Sequence, residues 1–280
     1  MNNANDMPVP TDEPAHAGAL GAADFAEPAP IYSIDGQSIN IADMAMLMAQ
    51  VRRHLEAKRG FNLFTLNLDH LVKRRADPAF RAAYQRAQLV TADGLPLVAL
   101  ARRRGIFIRR ATGADLIGPL CELAVELGVS LYFFGSTREN LICAAETLKR
   151  RYPGLEISGL EAPQFGFEPV SQGARAAGEK MAASGAGLCL IALGAPKQEL
   201  LADQWVQQHP GIGYFCIGAA LDFIAGGQKR APFVLQKWGF EWAYRLASNP
   251  RRMFMRYLRC AVLLSELAVT PGDAPKIPEH

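Results

Sequence analysis

Short apolar runs bounded by turn residues alternate along the chain with longer segments in which apolar residues recur every three or four positions. Several runs are nearly continuous in apolar residues, which is typical of parallel strands covered on both faces. The predicted strands are residues 61–66, 88–91, 129–134, 155–158, 188–193 and 214–217. The predicted helices include residues 42–59, 78–86, 114–127, 138–151 and 197–208, with a hairpin at Asp35-Gly36 before them. This alternation predicts an α/β fold, a layered and mostly parallel sheet with flanking helices.

The strand pattern stops at Pro232, and the segment up to residue 270 is helical, basic and rich in aromatic residues. Between Lys229 and Arg259 eight basic residues stand against a single acid, Glu241. In the last predicted helix one face carries the arginines and the other carries apolar side chains. The two sets are Arg252, Arg256 and Arg259, and Phe254, Leu258 and Ala261. A basic amphipathic helix favours an anionic membrane surface as partner, although packing on the body is the alternative.

Composition places the chain among ordinary enzymes, since half of its 280 residues are hydrophobic and a fifth are charged. Residues 1–30 contain five acids, five prolines and no Lys or Arg, which favours a disordered leader. We therefore divide the chain into that leader, an α/β domain at 31–231, a helical appendage at 232–270 and a frayed tail at 271–280. No apolar stretch reaches the roughly 20 residues of a membrane-spanning helix. The five scattered cysteines favour a reducing, cytoplasmic compartment.

Polar residues follow most of the predicted strands. Because ligands of parallel α/β sheets bind at the carboxyl ends of the strands, we expect these residues to line one crevice. They are Thr65, Asn67, Asp69 and His70, Asp93 and Gly94, Gly135 and Ser136, Gly194 through Glu199, and Gly218 with Asp222.

Asp93 is the catalytic candidate. It comes directly after a predicted strand, and the following Gly94 lets a ligand approach the backbone closely. A carboxylate in this position is suited to act as a general base. The alternative is that Asp93 caps the helix beginning near Leu95, a common role for aspartate.

The turn at residues 194–199 suits a phosphate site, because its backbone N–H groups and Lys197 would face an anion at the start of a helix. Gln198 offers a two-sided amide to a nucleobase or a sugar hydroxyl. The alternative is a plain turn in which Pro196 opens the helix. Arg109 and Arg110 would supply cations to a diphosphate, or else form a solvated charge cluster.

Several motifs of other enzyme classes are missing from the sequence. There is no dinucleotide glycine fingerprint, phosphate-binding P-loop or hydrolase nucleophile elbow. The expected fold is therefore Rossmann-like in its layers, but the sequence does not favour a dinucleotide-binding enzyme, an NTPase or a hydrolase of this type. No Asp-x-Asp occurs and the five histidines lack metal-ligand spacing, so no metal or cofactor is predicted. The diphosphate of a nucleotide donor would then need Arg or Lys as counter-charge.

Taken together, the segments resemble the WecG/TagA/CpsF glycosyltransferase family (glycosyltransferase family 26). Singly each motif is weak, whereas the ordered set is specific and covers about residues 35 to 260. The matching segments are TLNLDH at 65–70, TADGLP at 91–96, RATGADL at 110–116, FG at 134–135, LGAPKQE at 193–199, 218–226, KRAP at 229–232, EWAYRL at 241–246, NPRR at 249–252 and RY at 256–257.

The resemblance implies an inverting, metal-independent transfer of a sugar, of the N-acetylmannosamine type or glucose, from a UDP-sugar to an undecaprenyl-diphosphate-linked sugar. It implies a role in cell-surface polysaccharide biosynthesis and a peripheral position on the inner face of the cell membrane. Asp93 matches the family's base. The expected substrate-binding residues are Thr65, Asn67, Arg110, Gly135, Lys197, Gln198, Glu199, Arg245, Arg252 and Arg256.

A second hypothesis is a non-catalytic module that binds a nucleotide-sugar or a nucleic acid, because the basic aromatic tail suits phosphate groups. No helix-turn-helix or stacking platform supports a nucleic-acid partner, and under this hypothesis the strand-end residues would be idle. A homo-oligomer is left open, as is the choice between Arg109 and Arg110 in the pocket.

Overall fold

The structure is a computed structural model that describes residues 26–227, 246 and 250–269, without the side chain of Arg252. The strands are β1 (Tyr32–Ile34), β2 (Gln37–Ile39), β3 (Phe61–Leu66), β4 (Leu89–Ala92), β5 (Leu131–Gly135), β6 (Ile157–Glu161), β7 (Leu188–Ala192) and β8 (Gly213–Cys216). The helices are α1 (Met44–Glu56), α2 (Leu68–Ala76), α3 (Pro78–Gln85), α4 (Leu95–Arg103), α5 (Gly113–Leu127), α6 (Arg138–Arg151), α7 (Gln172–Ala183), α8 (Lys197–Gln208), α9 (Ala220–Ala225) and α10 (Pro250–Val269).

Six strands form one parallel sheet in the order β4-β3-β8-β7-β5-β6, which confirms the predicted α/β fold. Successive residues of β3 point to opposite faces, so Phe61 and Leu63 enter one core and Phe64 and Leu66 the other. Every residue of β3, β4, β5, β7 and β8 is buried. This two-sided burial explains the nearly continuous apolar runs of the sequence.

The predicted hairpin is confirmed, since β1 and β2 pair antiparallel around the turn at Asp35 and Gly36. The edge strand β6 lies two to three residues beyond the predicted segment. A register shift between Leu131 and Tyr132 of β5 displaces the residues of β6 that pair with it. No residue of β6 is fully buried, so the strand lacks the continuous apolar run that would mark it in the sequence.

Most helices begin at a residue whose side chain accepts a hydrogen bond from a free N–H of the first turn, which is the usual N-cap arrangement. These residues are Asp43, Asn67, Asp77, Thr112, Thr137 and Ser171. The five helices given above as predictions are confirmed to within three residues at each end, and α4 begins at Leu95 as expected.

Helices α2 and α7 were missing from the prediction. The strand β3 ends one residue before the cap residue Asn67, so the expected loop after it is already the first turn of α2. Helix α7 contains few large apolar residues. Its Gly178 lies against the buried Trp205, where an added Cβ would stand 2.6 Å from the indole nitrogen, so a small residue there is a packing requirement.

Helix α10 runs parallel to α2 along the outside of the α/β body. Near its start Arg256 lies 2.9 Å from Asp69 in the first turn of α2, and near its end Glu266 lies 2.6 Å from Arg75 in the last turn of α2. The side chains of Cys260, Leu263 and Leu267 form its buried stripe. Because α2 begins where β3 ends, the first turns of α10 lie at the level of the carboxyl ends of the strands.

The boundaries of the predicted appendage and leader fall partly outside the described residues, and so does the predicted tail at 271–280. Within the part of the chain that the structure describes, no helix combines the length and the apolar character needed to cross a membrane.

Candidate active site

The loops after β3, β4, β7 and β8 meet at one edge of the sheet, as the order β4-β3-β8-β7 requires. Backbone hydrogen bonds tie neighbouring loops together. Asp93 N donates to Leu66 O at 2.7 Å, which joins the ends of β4 and β3, and Ile217 N donates to Ile191 O at 3.0 Å, which joins the ends of β8 and β7. The expected convergence of strand-end residues is therefore present in the fold.

Asp93 lies one residue beyond β4 and is partly exposed. The cap position of α4 is occupied by Gly94, whose φ of 120° lies in a region that side-chain-bearing residues avoid, so Asp93 is not the cap residue of this helix. Burial raises the pKa of the Tyr84 phenol well above its ordinary value, and the charges of Glu199 and Asp93 raise it further. The carboxyl groups of Asp93 and Glu199 therefore both act electrostatically on Tyr84.

Arg110 is placed beside the catalytic candidate by a short continuation of the sheet. It forms a parallel bridge with Ala92, and the next residue, Ala111, donates to Ala92 O at 2.9 Å. Arg110 is half-buried, whereas Arg109 is exposed and its N–H donates to Ala42 O at 2.7 Å. Of the two arginines, Arg110 is the one that stands next to the residue preceding Asp93.

Thr65 and Asn67 end the neighbouring strand. Thr65 is 5% exposed and pairs in register with Thr91 of β4, whose hydroxyl donates to Ala111 O at 3.2 Å. Asn67 Oδ1 accepts the N–H of His70 at 3.0 Å as the cap of α2, which leaves one lone pair of this oxygen and the amide nitrogen for a ligand. Two of the predicted binding residues therefore lie beside Asp93.

His70 packs inside the protein, beside the residues of the site edge. Its Nδ1 lies 2.6 Å from the Tyr84 hydroxyl, and burial lowers the pKa of the imidazole to about 3.

Gln198 joins the ends of the two central strands. Its Oε1 accepts the N–H groups of Gly194 at 3.2 Å and of Gly218 at 3.1 Å, and its Nε2 donates to Glu199 Oε1 at 2.8 Å. With its oxygen doubly occupied and its side chain 3% exposed, Gln198 holds two loops in place, and one amide hydrogen remains for a ligand.

Glu199 is wholly buried directly behind this turn. Its second oxygen, Oε2, has no hydrogen-bond partner, and burial raises the pKa of the carboxyl to about 7. The carboxyl supports Gln198 in this fold, and because the side chain has no exposed surface, its predicted substrate contact would need a rearranged turn.

Lys197 points away from the expected phosphate position. Its Nζ donates to Phe167 O at 2.6 Å and lies 3.0 Å from Glu168, so it fastens the segment between β6 and α7 to the turn. Gly135 likewise has a packing reason, since an added Cβ would stand 2.6 Å from the carbonyl carbon of Ala192. These two predicted binding residues are engaged within the protein.

The arginines of the C-terminal segment are only partly described. Arg245 lies outside the described residues, and of Arg252 only the backbone is described, at the start of α10. Arg256 points toward the α/β body and pairs with Asp69, one residue into α2 from its start. The body-facing side of α10 therefore carries at least one of the predicted arginines to the site edge.

A polar cluster at the end of β5 includes a residue that sequence reasoning missed. The Ser136 hydroxyl donates to Asp222 of α9, and Asn140 Nδ2 donates to the same carboxylate oxygen at 2.9 Å. Ser136 and Asp222 were recognised as strand-end residues, but Asn140 lies in the first turn of α6 and no sequence pattern connects it to them. In the described residues, no three His, Cys, Asp or Glu side chains are grouped so that they could hold a metal ion.

A model of the glycosyl transferase WecG/TagA/CpsF family matches residues 32–270 of the chain. The chain belongs to this family. The match runs from β1 to the residue after α10, so it includes the whole parallel sheet, every strand-end loop and the helix that carries Arg256.

Membership of the WecG/TagA/CpsF family makes this chain a glycosyltransferase and agrees with the resemblance found in its motifs. The acidic residues that begin the chain lie before the matched segment. The α/β body and α10 belong to one family pattern, which fits their contact through α2.

Proposed function

We propose that this glycosyltransferase moves a sugar, of the N-acetylmannosamine type or glucose, from a UDP-sugar to a sugar linked to a polyprenyl diphosphate such as undecaprenyl diphosphate. Its product would enter cell-surface polysaccharide synthesis. The observation that carries the proposal is the position of Asp93, a partly exposed residue just after β4, which stands beside Arg110 and whose N–H is hydrogen-bonded to the end of β3.

In the proposed reaction Asp93 accepts the proton of the acceptor hydroxyl as that oxygen attacks the anomeric carbon. The new C–O bond forms on the face opposite the nucleotide, the bond to the UDP oxygen breaks, and its electron pair leaves with UDP. One displacement of this kind inverts the anomeric configuration. The departing diphosphate gains negative charge, which arginines aligned beforehand stabilise most strongly in a site that excludes water.

Cations for this charge would come from two directions. Arg110 stands on the sheet side, and Arg252 and Arg256 belong to the first turns of α10, with Arg245 before them. The backbone of the turn at 194–198 and the amides of Asn67 and Gln198 would contact the nucleotide or the sugar. Lys197 would join them only after leaving Phe167 O, so its phosphate contact belongs to a rearranged turn.

The outer face of α10 supports a peripheral membrane position on the cytoplasmic side, where a polyprenyl-linked acceptor would be met. Arg251 and Arg259 on this face are exposed. The apolar side chains beside them, each about half exposed or more, are Phe254, Met255, Leu258, Val262 and Val269. Burying such side chains in an interface stabilises binding, and each nearby arginine adds roughly 1 kcal/mol at an anionic surface.

The test is a panel of UDP-sugars assayed with a short-chain polyprenyl-diphosphate acceptor, with release of UDP and formation of the lipid-linked product both measured. Asp93→Asn is expected to bind UDP as the wild type does and to lose at least about a hundredfold in turnover, the usual contribution of a general base. Asp77→Asn is the matched control, because Asp77 caps α3 beyond the far end of α2 and asparagine is an equally good cap.

Turnover of Asp93→Asn close to that of the wild type would remove Asp93 from the mechanism. Wild-type protein that binds UDP but forms no product with any donor of the panel would favour the non-catalytic binding module instead.

A further inference from the structure

A chain of charged contacts leads from α10 to the turn that follows β7. Arg256 Nη2 of α10 lies 2.9 Å from Asp69 Oδ2, and Lys73 Nζ, one turn further along α2, lies 2.8 Å from the same oxygen. Lys73 Nζ also donates to the main-chain carbonyl of Ala195 at 2.9 Å. Two residues, Asp69 and Lys73, therefore connect Arg256 to the turn through three contacts, and Asp69 is the partner common to both cations.

Asp69 is held in its charged form by these partners. Its side chain is only 12% exposed, and burial by itself raises the pKa of a carboxyl. The charges of Arg256 and Lys73 outweigh this effect, so the pKa of Asp69 lies below its ordinary value. Removing a charged partner from such a partly buried group is costly, which means that Arg256, Asp69 and Lys73 keep one another in place.

Besides the contact of Lys197 with Phe167 O, two side chains bind the main chain of the turn itself. Lys73 binds the carbonyl of Ala195, while Gln198 Oε1 binds the N–H of Gly194 and reaches across to Gly218 at the end of β8. The hydrogen bonds of Gln198 connect the turn to the ends of the sheet strands. The hydrogen bond of Lys73 connects the turn to α2, and Asp69 connects Lys73 to α10.

We infer that Asp69 is a positioning residue, which transmits the docking of α10 on α2 to the turn at residues 194–198. The inference rests on the proposed function for the identity of the ligand at this turn. If docking of α10 shapes the turn, a ligand bound there must in return stabilise the docked helix by the same factor.

The first test needs no ligand. Hydrogen exchange of the Gly194 and Gln198 amides is measured in Asp69→Asn, and exchange is expected to be about tenfold faster than in the wild type, within the usual range of coupling between sites. Glu266→Gln is the matched control, since it removes the other ion pair between α10 and α2 while Arg75 keeps its bonds to Asp35.

Unchanged exchange of the turn amides in Asp69→Asn would overturn the inference. Equal acceleration in Glu266→Gln would overturn it too, because the turn would then respond to loosening of α10 in general. Asp69→Glu, which keeps the charge, is expected to exchange at nearly the wild-type rate, and thermal unfolding of each variant excludes a global loss of structure.

The second test uses UDP as the probe. In the wild type, UDP is expected to slow exchange in α10, and Lys73→Met is expected to weaken this protection, because Arg256 and Asp69 remain paired but lose their connection to Ala195. The protection that remains would come from the proposed direct contact of α10 arginines with the diphosphate. Protection as strong in Lys73→Met as in the wild type would overturn the inference. Faster turn exchange in Asp69→Asn together with no UDP binding by the wild type would support the positioning role and refute the proposed donor.

Discussion

The buried carboxyl of Glu199 makes the stability of this protein depend on pH in an unusual direction. Burial raises its pKa from an ordinary 4.5 to about 7. Between these two values the folded protein holds a proton that the unfolded chain has released, so the free energy of unfolding falls as pH rises. The full difference corresponds to about 3 kcal/mol, most of which falls between pH 5 and pH 8.5.

Glu199→Gln removes the titrating group and keeps an oxygen that accepts from Gln198 Nε2. We therefore expect the free energy of unfolding of the variant to rise by about 2–3 kcal/mol relative to that of the wild type when the pH is raised from 5 to 8.5. The measurement is urea unfolding of both proteins at several pH values. Any constant difference in packing between the two side chains cancels, because only the change with pH is compared.

A stability difference between variant and wild type that stays constant over this pH range would refute the reasoning, and would mean that Glu199 is ionised throughout. Asp203→Asn provides the control. Asp203 is also nearly buried on α8, but its carboxylate binds Arg86 through two hydrogen bonds of 3.0 and 2.6 Å. Loss of that charge is expected to destabilise the protein at pH 8.5.

Three further outcomes are expected. A chelator should leave the transfer rate unchanged, because arginines rather than a divalent ion are proposed to balance the diphosphate; inhibition that a divalent ion reverses would contradict this. The double substitution Leu258→Glu and Val262→Glu should abolish co-sedimentation with vesicles containing anionic lipid, whereas Ile142→Glu on α6 should not; equal binding of all three proteins would exclude α10 as the membrane contact. Gly135→Ala should lower the free energy of unfolding in urea by about 2–4 kcal/mol, because the added Cβ would meet the backbone of Ala192. Gly36→Ala, in an open turn, should lower it by only about 1 kcal/mol. Similar losses in both variants would show that the backbone conformation, and not the close contact, requires glycine.

Local pattern was sufficient to predict the strands and most helices. A strand covered on both faces must be apolar along its length, as β3 is, and a helix such as α6 begins at a capping threonine and shows its own period. The pattern failed where tertiary contacts set the requirement. Helix α7 depends on a small residue against Trp205, and the position of β6 depends on a register shift in its neighbour.

The candidate site divides in the same way. Asp93 and Thr65 were predictable because parallel strands carry the residues at their ends to one edge, whatever the details of packing. Arg110 followed from the family resemblance, with Arg109 left as the alternative, and only the bridge with Ala92 placed it beside β4. The roles of Lys197, Gln198 and Glu199 were not predictable, since their partners Phe167, Gly218 and the surrounding core lie far away in sequence.

The amino-acid sequence by itself determined the fold class, the family and the carboxylate at the end of β4, because each depends on residues close together along the chain. Only the tertiary structure decided which face of α10 meets the body and that Asp69 lies between Arg256 and Lys73. The amphipathic pattern defines two faces of a helix but does not say which one packs, since that choice depends on the partner charge that another helix presents.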